Sequence, residues 1–354
     1  MLLVCGNALI AALALQGCSS SPKGDTADAK LEYQLLWPEP PNEVRFIFEA
    51  ELRNQSDIRK ETEEERMRRI LTGRSTMSEQ PVYRKPSAVA ARKGRIYVAD
   101  PPTNSIFVFD VPRGRLFQMG VRDPNRVQAP LALALDQEGR VYTVDGRLGK
   151  VMAFDALGLF LFEIDISKDI TKPAGLAVSP DGQRIYVVDR GSIDNDDHKV
   201  VAYAPDGREL HRLGPRGAAP GQLNIPLAAS VAPDGNVHVL DSGNFRVQTF
   251  SPDGKFLSSF GGVGNGFGQF SRARDIATDQ DGNIYVSDAS FNNVQIFNPA
   301  GELLMWLGGP GRTNLPGQFG LIGSIAVDET GRLYVSDQYH QKIEVYRRAN
   351  SERR

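Results

Sequence analysis

The chain repeats one short phrase six times, and that repetition limits the folds open to it. Each copy is a β-branched and aromatic run closed by an aspartate, and the copies end at Asp100, Asp145, Asp189, Asp241, Asp288 and Asp337. Neighbouring aspartates are separated by 45, 44, 52, 47 and 49 residues. A near-constant period of this size is typical of propellers and solenoids, whose units bury their apolar faces only against the next unit.

One unit reads as four short strands. In the fifth unit the apolar runs 276–278, 284–287, 294–297 and 303–307 are separated by Gly, Asp, Asn and Pro. The first gap contains Asp281-Gly282, a dipeptide that accepts the positive φ angles of a tight hairpin. Four antiparallel strands joined by short turns form one propeller blade. The sequence therefore predicts an all-β, six-bladed β-propeller.

Two positions recur in every unit and favour structural roles. The repeated aspartates end the second strand of each unit, so we expect their carboxylates to cap N–H groups of the adjoining turns. Three residues earlier stand aromatic rings that we expect to pack between blades. These rings belong to Tyr97, Tyr142, Tyr186, His238, Tyr285 and Tyr334.

The units resemble NHL repeats. The best match is NIPLAASVAPDGNVHVLDSGNFRVQTFSPDGKFLSSFG, and the linkers GNGFGQF and NLPGQF follow the pattern of that family. The resemblance runs from about Lys85 to the end of the sequence and implies a six-bladed propeller over residues 85–348, with a tail at 349–354. It implies no particular chemistry, because one fold of this kind hosts many functions.

The sixth unit has only three strands, so the ring needs a strand from elsewhere. Residues 42–49 alternate apolar and polar side chains for part of their length, as a half-buried strand does. We expect them to pair with the run 343–346 and close the ring. A short surface helix is predicted after Ser56-Asp57 and before Gly73, which places a closing strand and helix in residues 42–84.

The N-terminus reads as an export signal with a lipid attachment site. Residues 2–15 are almost entirely apolar but too short to span a bilayer. The following Leu15-Gln16-Gly17-Cys18 resembles the lipobox of bacterial lipoproteins. This resemblance implies a signal peptide at 1–17, lipidation at Cys18, a polar tether at 18–41 and a place in the bacterial cell envelope, with Ser19 favouring the outer membrane.

Charge and cysteine content exclude several classes of function. The chain carries 41 basic and 43 acidic residues, a formal net charge of −2, which leaves no basic footprint for nucleic acid. It has two cysteines, and processing would remove Cys5 and acylate Cys18, so no thiolate metal ligand would remain. We therefore expect no cofactor and a monomeric domain held to the membrane only by its lipid.

Catalytic groups are scarce at the positions that face the centre of a propeller. The pairs that begin the inner strands are small or apolar in five units: Ser87-Ala88, Leu131-Ala132, Ala174-Gly175, Leu227-Ala228 and Gly323-Ser324. The fifth unit instead has Arg274-Asp275, close to Arg272. This group is a local ion pair or an anion-binding point at the channel mouth. The four histidines, at 198, 211, 238 and 340, are not expected to converge.

The third unit carries an insertion of about five residues that contains Asp194, Asp196, Asp197 and His198. Clustered carboxylates suit a hard cation, and Asp194 with Asp196 is a weak Ca²⁺ candidate, although the Gly and distal Glu of an EF-hand loop are absent. A solvated loop is the other interpretation, and loops on rigid scaffolds are common contact sites.

These features favour a non-catalytic binding or scaffold propeller that contacts another exported protein of the envelope. Two alternatives stay open. One is a metal-dependent lyase or hydrolase of the six-bladed type. The other is a ring that binds a small anion or the cell wall through Arg272, Arg274 and Asp275.

Overall fold

A computed structural model describes residues 35–74, 80–192 and 194–349 and confirms the six-bladed propeller. The predicted lipidation site Cys18 lies outside the described residues, as do the signal peptide and most of the tail. Each blade is a separate antiparallel sheet, and its first strand is innermost. Within the described part of the chain, no helix has the length and apolarity needed to cross a bilayer.

Two strands and one helix precede the first blade. The strands are β1 (Leu36–Trp37) and β2 (Phe46–Leu52), and the helix is α1 (Glu63–Thr72). Single 3₁₀ turns occur at Gln55–Asp57, Pro101–Thr103, Val111–Arg113 and Ser242–Asn244.

Blades 1 to 3 follow in chain order. Blade 1 contains β3 (Ala88–Arg92), β4 (Arg95–Asp100), β5 (Ser105–Asp110) and β6 (Arg115–Met119). Blade 2 contains β7 (Pro130–Leu135), β8 (Val141–Asp145), β9 (Lys150–Phe154) and β10 (Phe160–Asp165). Blade 3 contains β11 (Pro173–Val178), β12 (Ile185–Asp189), β13 (Lys199–Tyr203) and β14 (Glu209–Leu213).

Blades 4 to 6 complete the ring. Blade 4 contains β15 (Pro226–Val231), β16 (Val237–Asp241), β17 (Arg246–Phe250) and β18 (Phe256–Gly261). Blade 5 contains β19 (Ala273–Thr278), β20 (Ile284–Asp288), β21 (Asn293–Phe297) and β22 (Leu303–Leu307). The next linker contains a parallel pair, β23 (Gly309–Pro310) and β24 (Gln318–Phe319). Blade 6 follows with β25 (Ile322–Val327), β26 (Leu333–Asp337) and β27 (Lys342–Arg348).

The N-terminal strand closes the ring as predicted, but not at the predicted residues. β2 pairs with β27 from Phe46 opposite Arg348 to Leu52 opposite Ile343, and β1 adds a fifth strand outside it. The strand therefore starts later than residue 42 and continues past residue 49. A bulge at Glu49 interrupts its alternation, which is why the sequence pattern faded there.

The helix also begins later than predicted. Ser56 and Asp57 belong to a separate 3₁₀ turn, whereas α1 starts after Thr62, whose side chain accepts from the Glu65 N–H in a reciprocal capping box. The predicted stop is confirmed, because Gly73 ends the helix with φ +66°. Met67, Ile70 and Leu71 are exposed, and no residue of α1 is buried.

The predicted packing of the repeated aromatics between blades is confirmed for the five tyrosines. All six are buried, and Tyr142 belongs to a cluster that also contains Leu176 and Val178 of blade 3. Tyr97 of blade 1 donates its hydroxyl hydrogen bond to the carbonyl of Ala156 in blade 2. The five tyrosine rings therefore join their own sheets to the next ones, whereas His238 contacts Thr249 of its own blade.

Candidate binding site at the channel entrance

The six inner strands enclose a central channel with a cavity of about 800 Å³. Every residue that the sequence placed at the start of an inner strand lines it, including Arg274 and Asp275. Because the first strands of all six blades start at the same end of the ring, these residues share one end of the channel. We call that end the entrance.

The repeated aspartates build the entrance from backbone contacts. Asp288 accepts hydrogen bonds from the N–H groups of Ser271 and Arg272, which lead into β19, and from that of Ser290 in the following turn. Asp337 does the same for Gly320, Leu321 and Tyr339. The prediction that these carboxylates cap turns is confirmed, and the capping fixes where the entrance side chains begin.

Four cationic side chains line the cavity at this end. Lys85 precedes β3, Arg190 follows β12, Arg272 directly precedes β19, and Arg274 is the second residue of β19. We refer to these four residues as the entrance cluster. In the described part of the chain none of their side chains forms a hydrogen bond or an ion pair, so their positive charge is available to a ligand.

The opposite end of the channel has a different electrostatic character. Asp136, Asp279 and Glu329 line it. The first two are already paired, Asp136 with Arg140 at 2.5 Å and Asp279 with Arg348. Glu329 accepts from the Lys93 N–H at 2.8 Å. Glu329 has no cationic partner in the described structure, and Arg92, which lines the same end, donates to the Gln137 carbonyl at 3.2 Å. This end therefore carries charges of both signs, whereas the entrance cluster is cationic throughout.

Arg274 is the most enclosed member of the entrance cluster. Burial, reinforced by the neighbouring charge of Arg272, lowers the pKa of Arg274 from its ordinary value. Its guanidinium stays cationic, because arginine titrates far above neutral pH. A partly buried cation that has no carboxylate hydrogen-bond partner gains most from an anionic ligand.

Asp275 does not neutralise the cluster. Its carboxylate accepts from the N–H groups of Ile276 and, across the blade boundary, Ile325, each at 2.9 Å. Protein surrounds the carboxylate on the channel wall, and this desolvation raises the pKa of Asp275 to about 6. The residue therefore joins blades 5 and 6, and forms no ion pair with Arg272 or Arg274 in the described structure.

The sequence analysis identified Arg272 and Arg274 but missed Lys85 and Arg190. A signal for Arg190 was present, because it directly follows a repeated aspartate, a position that is uncharged in the other units: Pro101, Gly146, Ser242, Ala289 and Gln338. Lys85 stands immediately before the Pro86-Ser87 that opens β3. Only the ring arrangement shows that these turns share one opening with β19.

The inserted loop of blade 3 is held by internal contacts. His198 is fully buried, with Nε2 at 2.9 Å from the Ser192 carbonyl and Nδ1 accepting from the Ile225 N–H at 3.0 Å. Asp197 pairs with Lys199 at 3.2 Å, and Asp196 lies 3.6 Å from Arg216. His198 thus fastens the loop to blade 4 and is not open to a partner, whereas Asp194 and Asp196 are exposed.

The structure does not bring the candidate metal ligands together. Among the described residues, no three His, Cys, Asp or Glu side chains are placed to hold one ion. None of the four histidines lines the channel. His238 instead contacts the Thr249 hydroxyl at 2.9 Å, and burial lowers its pKa to about 4.

No protein-family model matches the sequence, and no curated protein matches it. Solved structures with a similar fold do exist. A streptogramin B lyase aligns at TM-score 0.55 and 13% identity, over 75% of this chain and 94% of that chain. A gluconolactonase from Xanthomonas campestris aligns at TM-score 0.56 and 18% identity, over 75% and 88%.

A third solved structure is a catalytically inactive histidine-to-alanine variant of virginiamycin B lyase from Staphylococcus aureus, in complex with quinupristin. It aligns at TM-score 0.52 and 13% identity, over 74% of this chain and 94% of that chain. At these identities the similarities establish the propeller fold alone. They leave the resemblance to NHL repeats as a prediction.

Proposed function

We propose that this protein is a binding propeller of the bacterial cell envelope, lipid-anchored at Cys18, and that its entrance cluster binds an acidic segment of another exported protein. The observation that carries the proposal is the set of four channel-lining cations that have no partner in the described structure. Arginine matches carboxylates in a bidentate geometry, and three of the four cations are arginines.

The walls of the entrance fit a ligand that inserts a narrow acidic group. Apart from the four cations, most side chains that begin the inner strands are small or apolar, as at Ala88, Ala174 and Gly323. The small side chains of the channel wall leave room for a peptide segment to enter, and the long cationic side chains around the entrance attract its acidic groups. The exposed loop with Asp194 and Asp196 lies in a turn of the same face as Arg190 and repels acidic groups that miss the centre.

A labelled hexaglutamate peptide tests this site. We expect the peptide to bind the full chain at low ionic strength and to dissociate as salt is added, because the contact is between charges. The double variant Arg272→Ala/Arg274→Ala should weaken binding by about tenfold or more. Lys255→Ala is the matched control, because Lys255 is an exposed cation in the hairpin at the opposite end of blade 4.

Fluorescence anisotropy measures all three proteins with the same probe. Equal affinity of wild type and double variant would overturn the proposed site. Binding of a disaccharide-pentapeptide of the cell wall, with no binding of hexaglutamate, would overturn the protein partner in favour of the cell wall. Loss of binding in Lys255→Ala would show that the peptide responds to overall charge and not to the entrance.

A lyase or hydrolase is the second candidate, and Asp275 is the observation that favours it. A carboxylate with a pKa of about 6 on a channel wall suits general acid or base chemistry. Two facts weigh against it: no histidine lines the channel, and both Asp275 oxygens already accept backbone hydrogen bonds. Assays of lactone hydrolysis and of virginiamycin B opening, with Asp275→Asn as the comparison, separate this candidate from simple binding.

A further inference from the structure

Blade 5 departs from the other blades at its outer edge. Trp306 in β22 pairs with the middle residue of the neighbouring strand, Gln295. The residues that occupy the same position in blades 1 to 4 are polar or charged, namely Gln118, Glu163, Arg212 and Ser259. One blade thus carries a large aromatic side chain, 46% exposed, where the other four carry hydrophilic ones.

A second aromatic replacement faces the first. In the linkers before blades 4 and 6 the turn reads PGQL and PGQF, with Pro220 and Pro316, whereas the linker before blade 5 reads FGQF and begins with Phe267. The Phe267 ring is 77% exposed and stacks on Trp306, with 4.6 Å between ring centroids and 26° between ring planes. Two independent departures from the repeat therefore build one aromatic pair on the outside of the ring.

The two segments that carry this pair have no charged side chain. Residues 256–271 and 303–311 contain no Asp, Glu, Lys or Arg, in a chain that is 24% charged. Leu257, Val263 and Leu304 are exposed in these segments. Leu304 also lines a pocket that contains Arg45 and Asp281. Interface cores are depleted in charge and enriched in Trp and Phe, and exposed apolar patches of this kind mark sites of association.

The patch also contains an open strand edge. β22 is the last strand in the order of its sheet, and its sequence, LLMWL, has no polar side chain. The corresponding edges of blades 1 to 3 carry charges, such as Arg115 in β6, Glu163 in β10 and Glu209 in β14. Charges on edge strands prevent pairing with another strand, and blade 5 lacks them.

We propose that the outer edge of blade 5 binds a second copy of this chain, with β22 of one copy antiparallel to β22 of the other. In a two-fold contact each side chain meets its own equivalents, so a charged edge would face like charges. An uncharged apolar edge is complementary to itself, and this distinguishes blade 5 from blades 1 to 3. The inference is independent of the entrance cluster and replaces the expectation of a monomeric domain.

Sedimentation equilibrium of the full chain in detergent tests the pairing. We expect a dimer in equilibrium with monomer, and a dissociation constant raised about tenfold or more by Trp306→Ser and by Phe267→Pro. These substitutions introduce the residues that other units already hold, so the blade should still fold. Leu159→Ser is the matched control, because Leu159 is 67% exposed at the outer hairpin of blade 2 and should leave the equilibrium unchanged.

A photo-crosslinking residue placed at Leu304 reports the contact directly. A crosslinked dimer that disappears on Trp306→Ser supports the proposal. A wild type that stays monomeric at all concentrations, or a dimer that survives both aromatic substitutions, would overturn it. Crosslinks to lipid or to another protein, without a dimer, would equally overturn it by giving the patch a different occupant.

Discussion

At the residue scale, the repeated tyrosine and an aspartate six residues earlier act as one unit in three of the blades. Tyr142, Tyr285 and Tyr334 donate to Asp136, Asp279 and Asp328 at 3.0, 2.9 and 2.9 Å. The second oxygen of each aspartate accepts N–H groups of the first hairpin, such as that of Gly139 on Asp136. The pair therefore ties the blade interior to the hairpin at the opposite end from the entrance.

Blade 4 has lost both partners, which gives the first prediction. Its repeated aromatic is His238, and the position six residues earlier is Ala232. We expect His238→Tyr alone to destabilise the protein by about 1–2 kcal/mol, because the new hydroxyl finds no carboxylate and Thr249 loses its partner. Adding Ala232→Asp should recover stability beyond the sum of the single effects. Urea unfolding of the four proteins measures this coupling, and strict additivity would contradict it.

At the element scale, β27 carries a buried ion pair that the equivalent strands lack. Lys342 and Glu344 are both fully buried and contact each other, and Lys342 lies 3.6 Å from Glu51 of the closing strand. Burial raises the pKa of Glu344, whose carboxylate also accepts from the Gly317 N–H at 3.0 Å. The neutral residues Gln248 and Gln295 accept the same kind of hydrogen bond, from Gly221 and Gly268.

This comparison predicts an asymmetric response to substitution. Lys342→Met should destabilise the protein by about 3–5 kcal/mol, because it leaves the Glu344 carboxylate buried without a cation. Lys342→Met/Glu344→Gln should be close to wild type, since glutamine already serves at this position in blades 4 and 5. Thermal and urea unfolding would show the difference. A double variant as unstable as the single one would mean that the ion pair itself is required.

The elements show how far a sequence pattern reaches. Four strands per blade and the turns between them were predictable, because repetition averages out the ambiguity of any one short run. The closing strand was predictable because the sixth unit has only three strands of its own. The bulge at Glu49 was not, since it does not alter the composition of its neighbourhood. The helix start was readable, because Thr62 and Glu65 have the spacing of a capping box, but the prediction placed the start after Ser56-Asp57. The pairing of Asp275 with Ile325 was equally hidden, because it depends on a neighbouring blade that lies fifty residues away.

At the scale of the whole molecule, two buried groups give stability opposite dependences on pH. Burial lowers the pKa of His238 from 6.5 to about 4. The stability that the folded protein gains from the neutral imidazole is therefore lost as pH falls from 6.5 towards 4. Burial raises the pKa of Asp275 from 3.8 to about 6. As pH falls, Asp275 takes up its proton at a higher pH in the folded protein than in the unfolded chain. Acidification from about pH 6 to about pH 4 therefore stabilises the propeller.

The variant Asp275→Asn isolates the second effect. Relative to the variant, the wild type should gain stability as pH falls from about 6.5 to about 4, by at most about 3 kcal/mol. Urea unfolding of both proteins across this interval provides the measurement, and the contribution of His238 cancels in the difference. A difference that does not change with pH would show that Asp275 is already ionised without cost.

Synthesis order gives the closing strand a further consequence. Ribosomes make β2 before any blade, whereas its partner β27 is the last of the described strands to be made. Blades 1 to 5 can form from local hairpins as the chain emerges, and the arc they build brings β2 within reach of β27 at small entropic cost. Closure of the propeller is therefore a late step, and it takes place only if β27 has been synthesised intact. A chain damaged there would remain an open arc with unpaired strands, which proteases recognise.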